Sequence, residues 1–307
     1  MPPLVSIITP TYNRADYLDE TIRSVLNQDY PDLEYIVLDD GSADDSLEIV
    51  KKYSDQIIWD THPNMGETNT VNKGFGKAKG ELVCVVNSDD PLLPGAVRTA
   101  VDFMVQRPDI LVAYPDWVII DSNSKIIEYN QVSEYSYIKM LAEHRCIVGP
   151  GAFIRFTHPD FNYRRDPQFR YVADFDFWLR LGLYGEFARI PETLASFRVH
   201  PESATLSHTG KLMSEEHIRL VKKIFSLPNL PAEAKWFQRK AFGRAYYRAG
   251  LACGSHRSLA RLYYLKSVIL DPDYFIKASK YQILMEWLPA PIFNFARKVW
   301  HTIKSAP

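Results

Sequence analysis

Residues 5–14 read VSIITPTYNR. The run from Val5 to Thr9 is short and β-branched, with Ile7 and Ile8 apolar on successive positions, as in a strand buried on both faces. From Ala15 to Asn27 the period changes, and Leu18, Ile22, Val25 and Leu26 fall on one helical face. A strand followed by an amphipathic helix is the repeating unit of an open α/β sheet. The unit recurs: EYIVL (34–38) precedes a helix predicted over 44–52, QIIWD (56–60) precedes one over 67–77, and LVCVV (82–86) follows. In such sheets ligands bind beyond the carboxyl ends of the strands. The segments there are polar: TPTYNR (9–14), DDGS (39–42) and NSDD (87–90). No Gly-x-Gly-x-x-Gly follows the first strand and no Gly-Lys-Ser/Thr loop occurs, which removes the main support for dinucleotide dehydrogenase and P-loop readings.

Outward from this block the pattern becomes mixed. LVAYPDWVII (111–120) reads as a strand, a polar turn spans 121–125, and apolar runs recur at 152–156 and 193–199 around a helix predicted over 174–184. Strand signals stop near Leu206, and from Glu215 onward helical spacing dominates, broken at Pro228–Pro231, Gly254, Asp271–Pro272 and Pro289–Pro291. The expected division is a catalytic domain over 1–206 and a basic helical extension over 207–307. Charge follows the same line, with 19 basic and 31 acidic side chains through Gly210 against 17 and 6 beyond it. The whole chain of 307 residues is ordinary in composition, 46% apolar and 24% charged, which excludes collagen, disorder and disulfide miniproteins. Cys84, Cys146 and Cys253 form no Cys-x-x-Cys pair, so neither a zinc site nor a disulfide framework is expected, and a reducing cytoplasm fits. The start lacks the pattern of a secretory signal. The most apolar stretch, 281–300, is interrupted by Glu286, two prolines, Asn294, Arg297 and Lys298, so no membrane span is expected.

Four fragments then stand in order: VSIITPTYNR, VLDDGS, NMGETNTVNKGFGKAKGELVCVVNSDD, and YVADFDFWLRLGLYG followed by FRVHPES. Together they resemble the family 2 glycosyltransferases of GT-A fold, over residues 4–206. The resemblance implies inverting transfer of a sugar from a nucleotide diphosphate donor, UDP favoured, to a hydroxyl of a glycan or lipid-linked acceptor, with Mn²⁺ or Mg²⁺ as cofactor. Cell-surface polysaccharide, O-antigen or glycolipid assembly is the implied role.

The same resemblance assigns roles residue by residue. Asp40, beside Asp39, takes the imide N–H of the base; Asp-Asp-Gly-Ser is also good turn chemistry. Asp90 holds the metal while Asp89 faces the ribose, hard carboxylate oxygens suiting either ion. Read as the end of a strand, the two carboxylates point to opposite faces and divide the work. Many relatives have Asp at the position of Asn87, so one acidic charge is missing here. His200 in FRVHPES completes the metal or phosphate shell, or is structural. Asp174 is the general base, with Ala173 replacing the usual preceding acid and Asp176 the competing base. As an N-cap, Asp174 would lose basicity to the helix dipole. Trp178 reads as packing. Thr11, Tyr12 and Arg14 form the first turn at the donor, Arg14 near phosphate, and Lys73, beside Asn72, is a phosphate contact or a solvated charge.

In the tail, Ala260, Tyr264, Ser267 and Pro272 are spaced like the second half of a tetratricopeptide repeat, but a single unit predicts only a helical hairpin. Beyond Pro291, Ile292, Phe295, Ala296, Val299, Trp300 and Ile303 share one face with basic residues mostly opposite. Such a helix lies in an anionic membrane interface, on the inner face of the cytoplasmic membrane, or docks on protein. No nucleic-acid motif accompanies the charge, so no nucleic acid is expected. The rival readings are transfer to a polyprenyl phosphate, against which the missing membrane span counts, and a silent sugar-nucleotide-binding scaffold.

Overall fold

The computed structural model describes residues 2–201 and 210–274. The chain divides into two compact units, Met1–Met140 with Cys146–Ser207, and Leu141–Arg145 with His208–Pro307.

The first unit is an α/β sheet. Strand β1 (Val5–Thr11) is buried at all seven positions and lies between β2 (Leu33–Asp39) and β4 (Leu82–Val85), with β3 (Ile58–Thr61) outside β2. These four are parallel, Thr11 standing opposite Asp39 and Val5 opposite Leu82. Helices α1 (Ala15–Leu26), α2 (Ser46–Lys51) and α3 (Glu67–Lys77) are the crossovers. The predicted face of α1 is the buried one, with Leu18, Ile22 and Val25 at 0% exposure. Burying each such side chain contributes roughly 1.5–3 kcal/mol. β3 begins two residues later than its apolar run, because the N–H groups of Gln56 and Ile57 are drawn into a turn onto the Tyr53 carbonyl.

After α4 (Ala96–Gln106), which the apolar pattern did not single out, the sheet turns mixed. The order runs β3-β2-β1-β4-β7-β5-β6, with β8 on β5. β7 (Phe153–Arg155) is antiparallel to both β4 and β5 (Ile110–Ile120), β6 (Ile126–Asn130) closes a hairpin on β5, and β8 (Glu186–Arg198) runs parallel to β5. Pro115 offers no N–H to the ladder, and the register with β8 shifts on both sides of Asp116. Helix α6 (Ala173–Leu181) completes this part, and the division of the chain at Met140 falls within α5 (Tyr137–Ala142).

The second unit is helical: α7 (Lys211–Phe225), α8 (Ala232–Trp236), α9 (Gln238–Ala252) and α10 (Arg257–Leu270). Leu227–Pro231 separates the first two, and Gly254 turns α9 into α10 at φ 59°, a conformation glycine adopts without cost. Ala241, Ala245, Ala249, Ala260 and Tyr264 pack in its core. A side chain at Gly250 would come within 2.5 Å of the Tyr264 ring, so this glycine allows the two helices to approach. The predicted hairpin is therefore α9–α10. No described helix is long and apolar enough to cross a membrane. The amphipathic segment 292–303 lies outside the described residues.

Candidate active site

The carboxyl ends of β1, β2 and β4 meet on one side of the sheet. Asn13 sits at φ 50°, which asparagine tolerates better than most residues, and its side-chain oxygen accepts the Ala43 N–H at 2.8 Å. The Asn13 and Arg14 N–H groups donate to Ser42 and Ser46 at 2.9 and 2.8 Å. Asp44 accepts the Ala15 N–H, so the first two strand-to-helix turns are tied together. A polar depression of about 580 Å³, lined by Asn13, Arg14, Tyr17 and Asp44, opens beside them.

Asp39 and Asp40 have turn duties here. Asp39 accepts the Thr61 hydroxyl at 2.8 Å, and the two oxygens of Asp40 accept the Met65 and Gly66 N–H groups at 2.7 and 2.9 Å. Gly41 and Gly66 both take positive φ, and a side chain at Gly41 would strike the Asn64 and His62 backbone. Thr11 has a buried hydroxyl without a protein partner, and Tyr12 is 46% exposed. Lys73, read as a phosphate contact or a solvated charge, pairs with Asp60 at 3.0 Å, joined there by Lys77, and this pairing holds the Asp60 carboxyl below its usual range.

Asp89 and Asp90 correct the expectation of a strand end. β4 stops at Val85, and the two acids lie in a turn closed by the Asp90 N–H on the Asn87 carbonyl at 3.1 Å. Their separation comes from different partners. One oxygen of Asp89 meets Arg14 Nε at 3.2 Å and His200 Nε2 at 3.0 Å. Asp90, 4% exposed, accepts the Arg198 N–H at 2.8 Å and the Asn87 amide at 3.0 Å. Burial first, then the neighbouring Asp89, pushes the Asp90 carboxyl up to about 8. Asn87 thus gives Asp90 a hydrogen bond where an aspartate would add a third like charge. His200 is buried against the Tyr17 ring, 4.7 Å between centroids, and directed at Asp89.

Asp90 also lines a cavity of about 230 Å³. Asn87, Arg165, Trp117, Trp178 and Phe197 help to line it, and so does Asp174. Asp174 is the second residue of α6 and not its N-cap, which is Val172; its side chain is exposed and accepts the Phe175 N–H at 2.7 Å. Asp176 is 0% exposed, bound to Arg180 at 2.8 Å, and absent from the cavity wall. Trp178, expected as packing, is buried yet reaches the wall.

Three contributors carried no signal in the local pattern. Trp117 reads as one more residue of a strand, and only the pairing of β5 with β7 and β8 brings it here. Arg165 is fixed by Asn72, whose amide exchanges hydrogen bonds with its backbone at 2.7 and 2.8 Å. Arg198 lies inside the FRVHPES fragment, but its role depends on what surrounds it.

The donor chemistry suits a hard divalent cation: Asp90 supplies a carboxylate whose charge is otherwise disfavoured by burial beside Asp89. Among the described residues no three His, Cys, Asp or Glu side chains converge as a cage. The remaining positions would fall to ligand oxygens and water.

The model of Glycosyl transferase family 2 matches residues 6–219. The chain belongs to this family. An uncharacterized glycosyltransferase of Haemophilus influenzae is 28% identical over 239 residues, 72% of each chain. Chondroitin synthase of Escherichia coli is 28% identical over 236 residues, 73% of this chain and 33% of that one. Among solved structures, S. aureus TarS in complex with UDP-GlcNAc matches at TM-score 0.63 and 18% identity, covering 89% of both chains. A mannosyltransferase from Pyrobaculum calidifontis, in complex with GDP-Man and Mn²⁺, matches at TM-score 0.56 and 16% identity over 94% of this chain and 89% of that one. This glycosyltransferase therefore shares the GT-A fold of its structural neighbours, as its motif order implied.

Proposed function

We propose that this glycosyltransferase transfers a sugar, with inversion, from a nucleoside diphosphate, UDP favoured, to a hydroxyl of a glycan or lipid-linked acceptor in polysaccharide or glycolipid assembly. The observation that carries the reading is that Asp90 and Asp174 line one cavity. A buried carboxylate that would hold a cation and an exposed carboxylate on the wall of the same cavity supply the two functions that an inverting displacement needs. Asp90, with His200 behind Asp89, would hold Mn²⁺ or Mg²⁺, which when bound neutralises the diphosphate leaving group. Asp174 takes the proton of the acceptor hydroxyl as its oxygen bonds to the anomeric carbon and the bond from that carbon to the diphosphate breaks. Asp176 is not proposed as the base, because its carboxylate is enclosed with Arg180.

On the donor side we assign Thr11, Tyr12, Arg14, Asp39, Asp40 and Asp89. Asp39 and Asp40 act by shaping the pocket through the turn they hold, and Arg14 by bringing positive charge to the Asp89 turn. The TarS complex with UDP-GlcNAc supports a UDP-sugar, and the mannosyltransferase complex supports Mn²⁺. Chondroitin synthase, by its name, supports a polysaccharide product. The catalytic domain is taken as 1–206 and the extension as 207–307, with residues 292–303 as a peripheral membrane contact at the cytoplasmic face.

The test is a thermal-shift panel of UDP, GDP, dTDP and CMP with Mn²⁺ or EDTA, since a ligand selective for the folded state raises stability by mass action. UDP with Mn²⁺ should stabilise the wild type, and the effect should vanish in EDTA and in Asp90→Asn. Asp174→Asn should lose transfer by at least about 10²-fold while binding UDP normally. Unchanged turnover in Asp174→Asn would remove it as the base, and no response to any nucleotide would overturn the donor reading.

A further inference from the structure

Arg198, the last residue of β8, is an arginine whose side chain is 0% exposed. Removing a guanidinium from water is costly unless its donors are satisfied, and all three of its nitrogens donate hydrogen bonds. Nε donates to the Asp89 carbonyl at 2.9 Å, Nη1 to the Asp121 carbonyl at 2.9 Å and the Ser124 hydroxyl at 3.0 Å, and Nη2 to Glu20 at 2.7 Å. Its own backbone N–H donates to Asp90 at 2.8 Å, and the guanidinium lies 4.8 Å from the centre of the Tyr17 ring. The Ser124 hydroxyl donates to the same Glu20 oxygen at 2.7 Å. One side chain thus joins helix α1, the β5–β6 turn and the Asp89–Asp90 turn.

Resting on the reading that Asp90 serves a metal-bound diphosphate, we propose that Arg198 is the positioning residue of that site, held in place by Glu20 and Ser124. It grips the Asp89–Asp90 turn at both residues, through the carbonyl of one and the carboxylate of the other. That fixes the direction of the Asp90 carboxylate, while the guanidinium charge offsets two neighbouring acids. Lysine keeps the charge but lacks the planar fork, so it cannot reach Asp89, Asp121 and Glu20 together. Glu20 is 45% exposed and neither lines the cavity nor touches Asp90, so a surface carboxylate of α1 sets the metal site at second hand.

The experiment is a Mn²⁺ titration followed by electron paramagnetic resonance in the presence of saturating UDP, on full-length wild type, Arg198→Lys, Glu20→Gln, Ser124→Ala and Asp90→Asn. Groups behind a metal ligand typically tune affinity by about 10–100-fold. Arg198→Lys should weaken Mn²⁺ within that range, Glu20→Gln by at least about 3-fold, and Ser124→Ala least. If Arg198→Lys does not fold, Glu20→Gln decides. A lowered Tm with Mn²⁺ affinity within twofold of wild type in Arg198→Lys and Glu20→Gln would make Arg198 merely structural and overturn the proposal. Loss of Mn²⁺ binding in Asp90→Asn alone would leave the metal reading standing while this inference fails. Wild-type affinity in Asp90→Asn would sink the metal reading itself.

Discussion

At the scale of single residues, the site is governed by how two adjacent acids are kept apart electrically. Asp89 is paired with Arg14 and hydrogen-bonded to His200, whereas Asp90 is buried and pushed up to about 8. A carboxyl raised in the folded state favours folding fully below its unfolded value near 3.8, and that contribution is lost as pH rises through 8. The metal-free protein should therefore show a component of stability that falls between about pH 4 and pH 8, with a slope approaching about 1.4 kcal/mol per pH unit. Urea unfolding of wild type and Asp90→Asn in EDTA across that range should show the component in the first and not in the second. Parallel curves would mean that the carboxyl ionises in the fold without penalty. At this scale the resemblance to the family names Asp89, Asp90, Asp174 and His200 as expected site residues. Their pairings are not legible in it, because Arg14, Asn87, Arg198 and Asp89 meet through chain reversals that no local pattern encodes.

At the scale of elements, close backbone approach positions the ends of the strands. Gly80, between α3 and β4, donates its N–H to Ser6 Oγ at 2.8 Å, and a side chain there would lie 2.5 Å from the Ser6 nitrogen and 2.7 Å from the Leu82 oxygen. Backbone atoms inside a sheet cannot retreat as a flexible side chain would. Gly80→Ala should lower stability by about 1–3 kcal/mol in urea unfolding, the usual cost of overpacking. An unchanged midpoint would show that β1 and β4 separate locally. The alternation of β1 to β4 with α1 to α3 is readable because β1, β2 and β4 carry buried β-branched and aliphatic runs and each helix is apolar on one face. β6 was not recognised because its residues are largely exposed, and α4 because nothing in the reading drew attention to its buried face.

At the scale of the whole molecule, the helical unit has a pH dependence of its own. His144 Nε2 and His217 Nδ1 are 3.0 Å apart and hydrogen-bonded. Burial holds His144 well below the ordinary histidine range and, with Arg248 nearby, pushes His217 down to about 4. Histidines kept neutral in the fold contribute stability that is present above pH 6.5 and lost as pH falls through about 4. That sign is opposite to the contribution of Asp90. Amide exchange, corrected for intrinsic rates, should show α7 losing protection as pH falls from 7 to 4.5, and His217→Leu should flatten the trend. Constant protection in the wild type would mean that the pair takes up protons in the fold as readily as in the unfolded chain.

The sequence by itself determined the fold class, the order of the first strands and helices, the basic helical character of the tail and the motif residues. The elements follow from periodicity, a local property of the chain, and the motif residues from the resemblance of four short fragments to the family. Tertiary structure decided that Asp174 and Asp90 share a cavity while Asp176 is locked to Arg180. It also decided that Lys73 belongs to Asp60, that Asp39 and Asp40 hold a turn, and that Trp117 and Arg198 join the site. The physical reason is that hydrogen-bond partners and burial depend on which distant segments are brought side by side. The antiparallel insertion of β7 between β4 and β5 sets that neighbourhood.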